Sequence, residues 1–289
     1  MKSHIKIYEI AVSRDSSFIG LADFNGKIHL WNLDTVGKIG NIRTVYDFGG
    51  QRLALSHDGK KCFAASYQKE ILACYTIPNG NIQWQHANIR GIQKIVVSKD
   101  GQKAYCEVDS KSFLSFDINT GGSLPVYQKA KDIHESIYDD VYLLEKDNLE
   151  LWCCDEKLAF SIDRVSFAIL SVCFGKGLFC ISESGSIVRC FEISNGNEAW
   201  RYNPPSGSHV LELGYMKKEN AFVGVEWPYE KGGRMKLIRF DKNTGRPSLI
   251  REFESVAGLK FTPSGDHLLT SEGHLININN GIVDIKIPI

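Results

Sequence analysis

Short apolar runs followed by tight polar turns recur along the chain. Ile10-Ala11-Val12 leads into Ser13-Arg14-Asp15, Leu53-Ala54-Leu55 into Ser56-His57-Asp58-Gly59, and Ile95-Val96-Val97 into Ser98-Lys99-Asp100-Gly101. Weaker copies begin at Val141, Val172, Leu213 and Leu259. Each run has the length of a strand, and Asp-Gly supplies a residue that takes positive φ at little cost. A further apolar stretch follows, often ending in an aromatic residue, as in His29-Leu30-Trp31, Ala73-Cys74-Tyr75, Leu114-Ser115-Phe116, Leu158-Ala159-Phe160 and Ile238-Arg239-Phe240. A second turn comes next: Pro78-Asn79-Gly80, Asn119-Thr120-Gly121, Ser194-Asn195-Gly196, Asn243-Thr244-Gly245 and Asn279-Asn280-Gly281. No segment sustains a helical period.

The copies lie about 40 residues apart, the spacing of four-stranded propeller blades. The pattern predicts an all-β chain: one β-propeller domain over residues 1–289, with seven antiparallel blades. Six blades is the alternative count, because the copy at Val141 is compressed. The ring is expected to close by pairing of the residues around Ile5 and Ile7 with the last blade.

The repeats resemble those of WD-repeat, YVTN-type and quinoprotein-like propellers. Asp23-Phe24-Asn25-Gly26-Lys27-Ile28-His29-Leu30-Trp31-Asn32 is similar to the end of a WD repeat, with Trp31-Asn32 in place of Trp-Asp. The Ser-x-Asp-Gly turn with a later Asn-Thr-Gly is similar to YVTN repeats. Asn79-Gly80 before Trp84, and Asn195-Gly196 before Trp200, are similar to the Gly-x-x-x-Trp motif of quinoprotein-like blades. That resemblance implies a structural tryptophan stacked between blades and no quinone cofactor.

Composition narrows the function. Lys plus Arg (34) balances Asp plus Glu (34), with no basic stripe, so nucleic acid is not an expected partner. No signal-peptide pattern or membrane-spanning run is present, and a cytoplasmic protein is expected. The eight cysteines include no C-x-x-C pair and sit mostly in apolar runs, which reads as small buried hydrophobes. Cys153-Cys154 differs, because neighbours on a strand point to opposite faces. The eight histidines show no ligand spacing, and neither a Gly-x-Ser-x-Gly elbow nor a phosphate loop occurs. No metal, cofactor or catalytic residue is therefore assigned.

The residues just before each inner strand are Glu9, Arg52, Lys94, Asp140, Ser171, Glu212 and Gly258. They predict a channel mouth with charges of both signs, either as internal ion pairs or as a docking surface. Three connections are expected to share that face. One is a long loop, Val225-Glu226-Trp227-Pro228-Tyr229-Glu230-Lys231-Gly232-Gly233; another is the stiff Asn203-Pro204-Pro205-Ser206-Gly207-Ser208-His209. The third is a polar loop over 129–138. Trp227 and Tyr229 would anchor an interface, with Glu226, Glu230, His209, Arg52, Lys94, Asp140 and Glu212 around them. The expectation is a non-enzymatic, monomeric propeller that binds another protein, as a scaffold or as an inhibitor or immunity-type cap. The alternative, implied by the YVTN resemblance, is a lactonase-type hydrolase with its site at the channel mouth.

Overall fold

The computed structural model of the chain describes residues 5–44, 51–66, 69–98, 100–108, 112–125, 132–135, 141–153, 158–165, 168–184, 187–230 and 232–287. They form seven four-stranded antiparallel sheets arranged as a ring, with no helix among the described residues. The inner strands are Ile7–Val12, Gln51–Leu55, Ile92–Val97, Asp132–Glu135, Ile169–Phe174, Ser208–Met216 and Leu259–Phe261. The outer strands are Gly37–Arg43, Ile82–His86, Ser123–Leu124, Leu158–Ile162, Glu198–Tyr202, Pro247–Phe253 and Val283–Lys286. Every blade uses four strands consecutive in sequence, so the count is seven rather than six.

The first turn of a blade is built by its own side chains. In blade 2 the Ser56 hydroxyl donates to Asp58 (2.8 Å) and accepts from the Lys61 N–H (2.9 Å). Ser13 with Asp15 and Phe18, and Ser98 with Asp100 and Lys103, repeat it. In blade 7 Thr262 accepts the His267 N–H (3.1 Å), and the Ser264 hydroxyl, 3.2 Å away, stands where the other turns have the Asp carboxylate. A local hydroxyl and carboxylate thus satisfy the turn and set the hairpin register.

The apolar core is divided among the blade junctions. Ile28, Leu30 and Ile42 of blade 1 pack against Leu53, Ala64 and Tyr75 of blade 2. Phe63, Cys74 and Trp84 then meet Cys106 and Phe116 of blade 3, and the same arrangement continues around the ring. At the junction of blades 3 and 4, Phe113 and Leu144 are buried against each other, with Tyr105, Tyr142 and Trp152 packed around them. Five cysteines, Cys62, Cys74, Cys106, Cys180 and Cys190, are buried in these layers, and burial pushes the Cys106 thiol up to about 12. Cys154 and the side chain of Cys153 lie outside the description.

Outer strands lock onto the next blade. Trp84, at the end of blade 2, donates its indole N–H to the Ile118 carbonyl of blade 3 (3.0 Å) and stacks on Phe116. Gln83 bonds the Asn119 carbonyl (2.6 Å), and His86 Nε2 lies 2.7 Å from the Gly121 carbonyl. Trp200 of blade 5 repeats the device on the Lys242 carbonyl (3.0 Å) and Phe240 of blade 6. Gly121 and Gly245 (φ +72° and +67°) lie beneath these rings, where an added Cβ would come within 2.7 and 2.4 Å of the indoles.

Three expectations are corrected. Val141 opens the second strand of blade 4, not the first, and Leu158–Ile162 is its outer strand. The inner strand, Asp132–Glu135, falls within the stretch expected as a loop: Asp-Ile-His-Glu is polar, so its repeat signal was outweighed by the more apolar strand after it. Asp140 therefore does not precede an inner strand, and it lies outside the described residues. Ile7 pairs with Asp23 of its own blade. Ile5 and Ile7 reach blade 7 only by packing with Leu269, Leu275, Ile285 and Ile287, so ring closure uses side chains rather than an exchanged strand. Finally, 225–228 belong to a strand, Ala221–Pro228, rather than to a loop.

Trp84→Ala should lower stability by about 3–5 kcal/mol, read from the urea midpoint. Gly121→Ala should also destabilise, and both variants should be more sensitive to heat than the wild type.

Thr120 holds the Asp117 carboxyl below its ordinary value of 3.8, through its backbone N–H first and then its hydroxyl. A carboxylate with a depressed native pKa stabilises the fold above 3.8, and that contribution is lost as pH falls through the native value. Thr120→Ala should move the Asp117 titration upward in a carboxyl-detected NMR experiment.

Candidate functional site

The inner strands enclose a central channel. One half is a cavity of about 400 Å³ between blades 7, 1, 2 and 3; the other, of about 590 Å³, faces blades 3 to 7. Lys94 and Lys260 line both. Strand polarity places Glu9, Arg52, Lys94 and Glu212 at the same level of the channel, because each stands one residue before the matching apolar position of its inner strand, Ile10, Leu53, Ile95 and Leu213.

Charge alternates across part of this mouth. Arg52 Nη1 lies 3.7 Å from Glu9, and Lys260 Nζ lies 3.2 Å from Glu212. The order by blade is Arg52, Glu9, Lys260, Glu212, over blades 2, 1, 7 and 6. Burial pushes the Glu9 carboxyl above its ordinary value; Arg52 and Lys260 oppose the shift, and Glu212 adds to it. The Glu212 carboxylate raises the Lys260 ammonium against the effect of burial, and Glu9 adds to the rise. Half of the Lys260 side chain (50%) is accessible, but that surface faces the channel interior. Lys94 Nζ is 3.5 Å from His134 Nδ1, and the Ser171 hydroxyl accepts the Leu213 N–H (3.0 Å), tying blade 5 to blade 6.

Lys260 was missed by sequence reading, although the signal was present. Counting two residues back from the turn residues Ser13, Ser56, Ser98 and Thr262 gives Ala11, Ala54, Val96 and Lys260. Only blade 7 of these four places a charge at that level of the channel.

Blade 6 carries the other notable feature. Its inner strand has nine residues and its second strand eight, and they stay paired out to Ser208 and Pro228. The Tyr229 N–H closes the extension on the Gly207 carbonyl (2.6 Å). At this end His209, Trp227 and Tyr229 form an edge-to-face trio, with centroids 4.7 to 5.9 Å apart. His209 is buried, and burial lowers its pKa. Trp227 packs back on the layer between blades 6 and 7, while Tyr229 is 53% exposed.

The remaining predicted residues divide. Glu226 is buried and accepts the Tyr202 hydroxyl (2.6 Å), with Lys236 Nζ at 3.8 Å, so its carboxylate is turned inward. Burial, then Glu226, raises the Tyr202 phenol. Glu230 is exposed at the hairpin tip. A second aromatic group on this face, Tyr8 edge-on to Phe24 with Arg52 over the Tyr8 ring, was not foreseen. Among the described residues no three His, Cys, Asp or Glu side chains are grouped to hold a metal ion.

The raised pKa of Glu9 means that the native state holds its proton more tightly than the unfolded chain. Stability should therefore fall as pH rises above 4.5 through the native value. Glu9→Gln should flatten that slope without loss of stability at pH 7, as measured by urea unfolding at a series of pH values.

No protein-family model matches the chain, and no curated protein matches it in sequence. Solved structures match it in shape. The WD40 repeats of RRP9 superpose with a TM-score of 0.67 at 11% identity, over 93% of this chain and 88% of that one. U3-55K gives 0.66 at 12%, over 93% and 89%. The β-propeller domain of Myceliophteria thermophila Cps50 (Swd1) gives 0.70 at 12%, over 97% and 96%. Identity at this level speaks to architecture alone, and the architecture this chain shares with these structures is the seven-bladed β-propeller.

Proposed function

We propose that this propeller binds another protein on the face that carries the channel mouth and the blade 6 hairpin. The carrying observation is Tyr229. A large aromatic side chain is held out at 53% exposure on a hairpin braced by Trp227 and His209. Aromatic residues dominate interface energetics, and a paired hairpin loses little entropy on docking. Glu226 and His209 brace the hairpin from within, whereas Glu230 flanks Tyr229 at the surface. Glu9, Arg52, Lys94 and Glu212 add a mixed-charge region that favours a complementary partner. In this reading the chain acts as one monomeric cytoplasmic domain, without cofactor, nucleic acid or membrane. In its inhibitory form the ring covers the partner's own working surface, as an immunity-type cap would.

The partner is to be identified by copurification from the native host and its affinity measured with purified components. Tyr229→Ala should weaken binding roughly 30-fold, the loss of one hot-spot side chain. Lys60→Ala, on an exposed turn at the opposite end of blade 2, should leave it unchanged. Equal affinity for the Tyr229 variant and the wild type would remove this hairpin from the interface.

A further inference from the structure

The end of blade 1 at which its second strand turns into its third carries cations without matching carboxylates. Lys6 and Lys27 are exposed there, and so is Arg43 at the end of the outer strand. None of the three has an ion-pair partner among the described residues. Two carboxylates belong to this end of the sheet, and both are engaged. Asp23 is buried, 3.0 Å from His29, and accepts the Asn25 and Lys27 N–H groups (2.8 and 3.0 Å); Glu9 pairs with Arg52. Register sharpens the mismatch. Lys27 stands directly opposite Arg43, and like charges so placed destabilise a pair of strands. Other cations opposed to a charge face a carboxylate or share one. Lys103 faces Asp117, and Lys236 faces Glu226 on one side and Glu252 on the other. Arg189 faces Arg201, but both reach Glu198, at 4.0 and 2.6 Å. Lys27 and Arg43 have no such carboxylate among the described residues.

Two aromatic rings complete the patch. The Phe24 N–H donates to the Lys6 carbonyl (3.3 Å), and the Lys6 ammonium lies over the Phe24 ring, 4.9 Å from its centroid. Tyr8, 38% exposed, meets Phe24 edge-on at 5.2 Å, and Arg52 lies over the Tyr8 ring at 5.9 Å. Nucleobase stacking needs free ring faces. Here a cation covers one face of each ring and the edge-on contact uses a third, so the patch suits an acidic polypeptide better than a nucleic acid. Its turn holds the same place in blade 1 as the Tyr229 hairpin does in blade 6, and both therefore lie on one face of the ring.

We propose that this end of blade 1 docks an acidic segment of the partner protein, with carboxylates against Lys27, Arg43 and Lys6 and an apolar side chain beside Tyr8 and Phe24. The proposal rests on the reading that this face receives a protein, and it adds the charge of the segment that lands here. Ile28 and Ile42 pack toward blade 2, so their neighbours Lys27 and Arg43 point to the blade 7 side; Ile7 packs toward blade 7, so Lys6 points to the blade 2 side. The segment accordingly crosses the end of the sheet. Its carboxylates supply the counter-charge that Lys27 and Arg43 lack, and charge complementarity of this kind acts chiefly on association rate, salt dependence and choice of partner.

The test uses the purified full chain with three labelled probes: a short glutamate-rich peptide with one phenylalanine, the same peptide with glutamine for glutamate, and a single-stranded oligothymidylate. Fluorescence anisotropy gives each affinity over a series of sodium chloride concentrations. The glutamate peptide should bind saturably and lose affinity as salt rises, and the glutamine peptide should not bind. Lys27→Glu combined with Arg43→Glu should weaken the glutamate peptide roughly tenfold or more. Lys60→Glu, the same change of charge at the opposite end of blade 2, should leave it unchanged. Lys27→Glu alone gives a second readout. By facing Arg43 with opposite charge it should raise the urea midpoint while weakening the peptide, a combination that a merely structural lysine would not produce. The proposal fails if the glutamate peptide does not saturate, if the double variant binds like the wild type, or if Lys60→Glu weakens binding equally. A lowered urea midpoint for Lys27→Glu also overturns it, and tighter binding of the oligothymidylate than of the peptide would assign the patch to nucleic acid instead. Should the double variant not fold, as judged by circular dichroism, Lys6→Glu decides: affinity equal to the wild type overturns the site. Failure here would leave the Tyr229 interface untouched, because that interface is measured against the copurified partner itself.

Discussion

Neighbouring blades hold each other by side chains. Four short strands on their own make a marginal sheet, and each blade finds its buried surface against the next. The layers between blades contain the large buried residues, such as Phe63 and Tyr75 near blade 2 and Phe222 and Phe240 in blade 6. The tryptophans add direction to this packing. Trp84 and Trp200 each reach forward to a turn carbonyl on the following blade, and the turn offers a glycine because the indole occupies the place of a side chain. Closure obeys the same rule. Blade 7 meets blade 1 through Leu269, Leu275, Trp31 and Ile19, and through the Ser264 N–H donated to the Ser16 hydroxyl (2.9 Å).

A ring built this way fixes what faces the channel. The inner strands stand side by side without pairing to one another, so residues at matching positions in different blades converge on the axis. Glu9, Arg52, Glu212 and Lys260 become neighbours for that reason. Their opposite charges repay part of the cost of enclosure, yet the match is incomplete at Arg52. The extended blade 6 hairpin uses the same frame differently. Its second strand is anchored by the buried Glu226 carboxylate, which accepts the half-buried Tyr202 hydroxyl, and its end presents Tyr229. The same frame thus carries an exposed aromatic residue and an enclosed channel of mixed charge.

Much of this was legible in the chain. The Ser-x-Asp turns, the glycines after Asn, the aromatic end of the third strand and the Gly-x-x-x-Trp spacing are all set by contiguous residues. Local hydrogen bonding and the two-residue period of a strand write them directly into composition. They specified seven similar units, and four of the expected mouth residues do line the channel: Glu9, Arg52, Lys94 and Glu212. The exception proves instructive. Asp132–Glu135 forms an inner strand from polar residues, because its place in the ring, not its own pattern, gives it a partner strand.

Tertiary structure decided the rest. Glu226 read as a surface charge until the strand on which it sits was seen to continue through Trp227 and to turn the carboxylate toward Tyr202. Lys260 was not singled out in the sequence, although its ammonium lies 3.2 Å from Glu212 on the preceding blade. The chain alone determined the repeating unit, since turns and strands depend on neighbours a few residues away. Which charges meet depends on contacts between residues far apart in the chain, and only closing the ring brings those residues face to face.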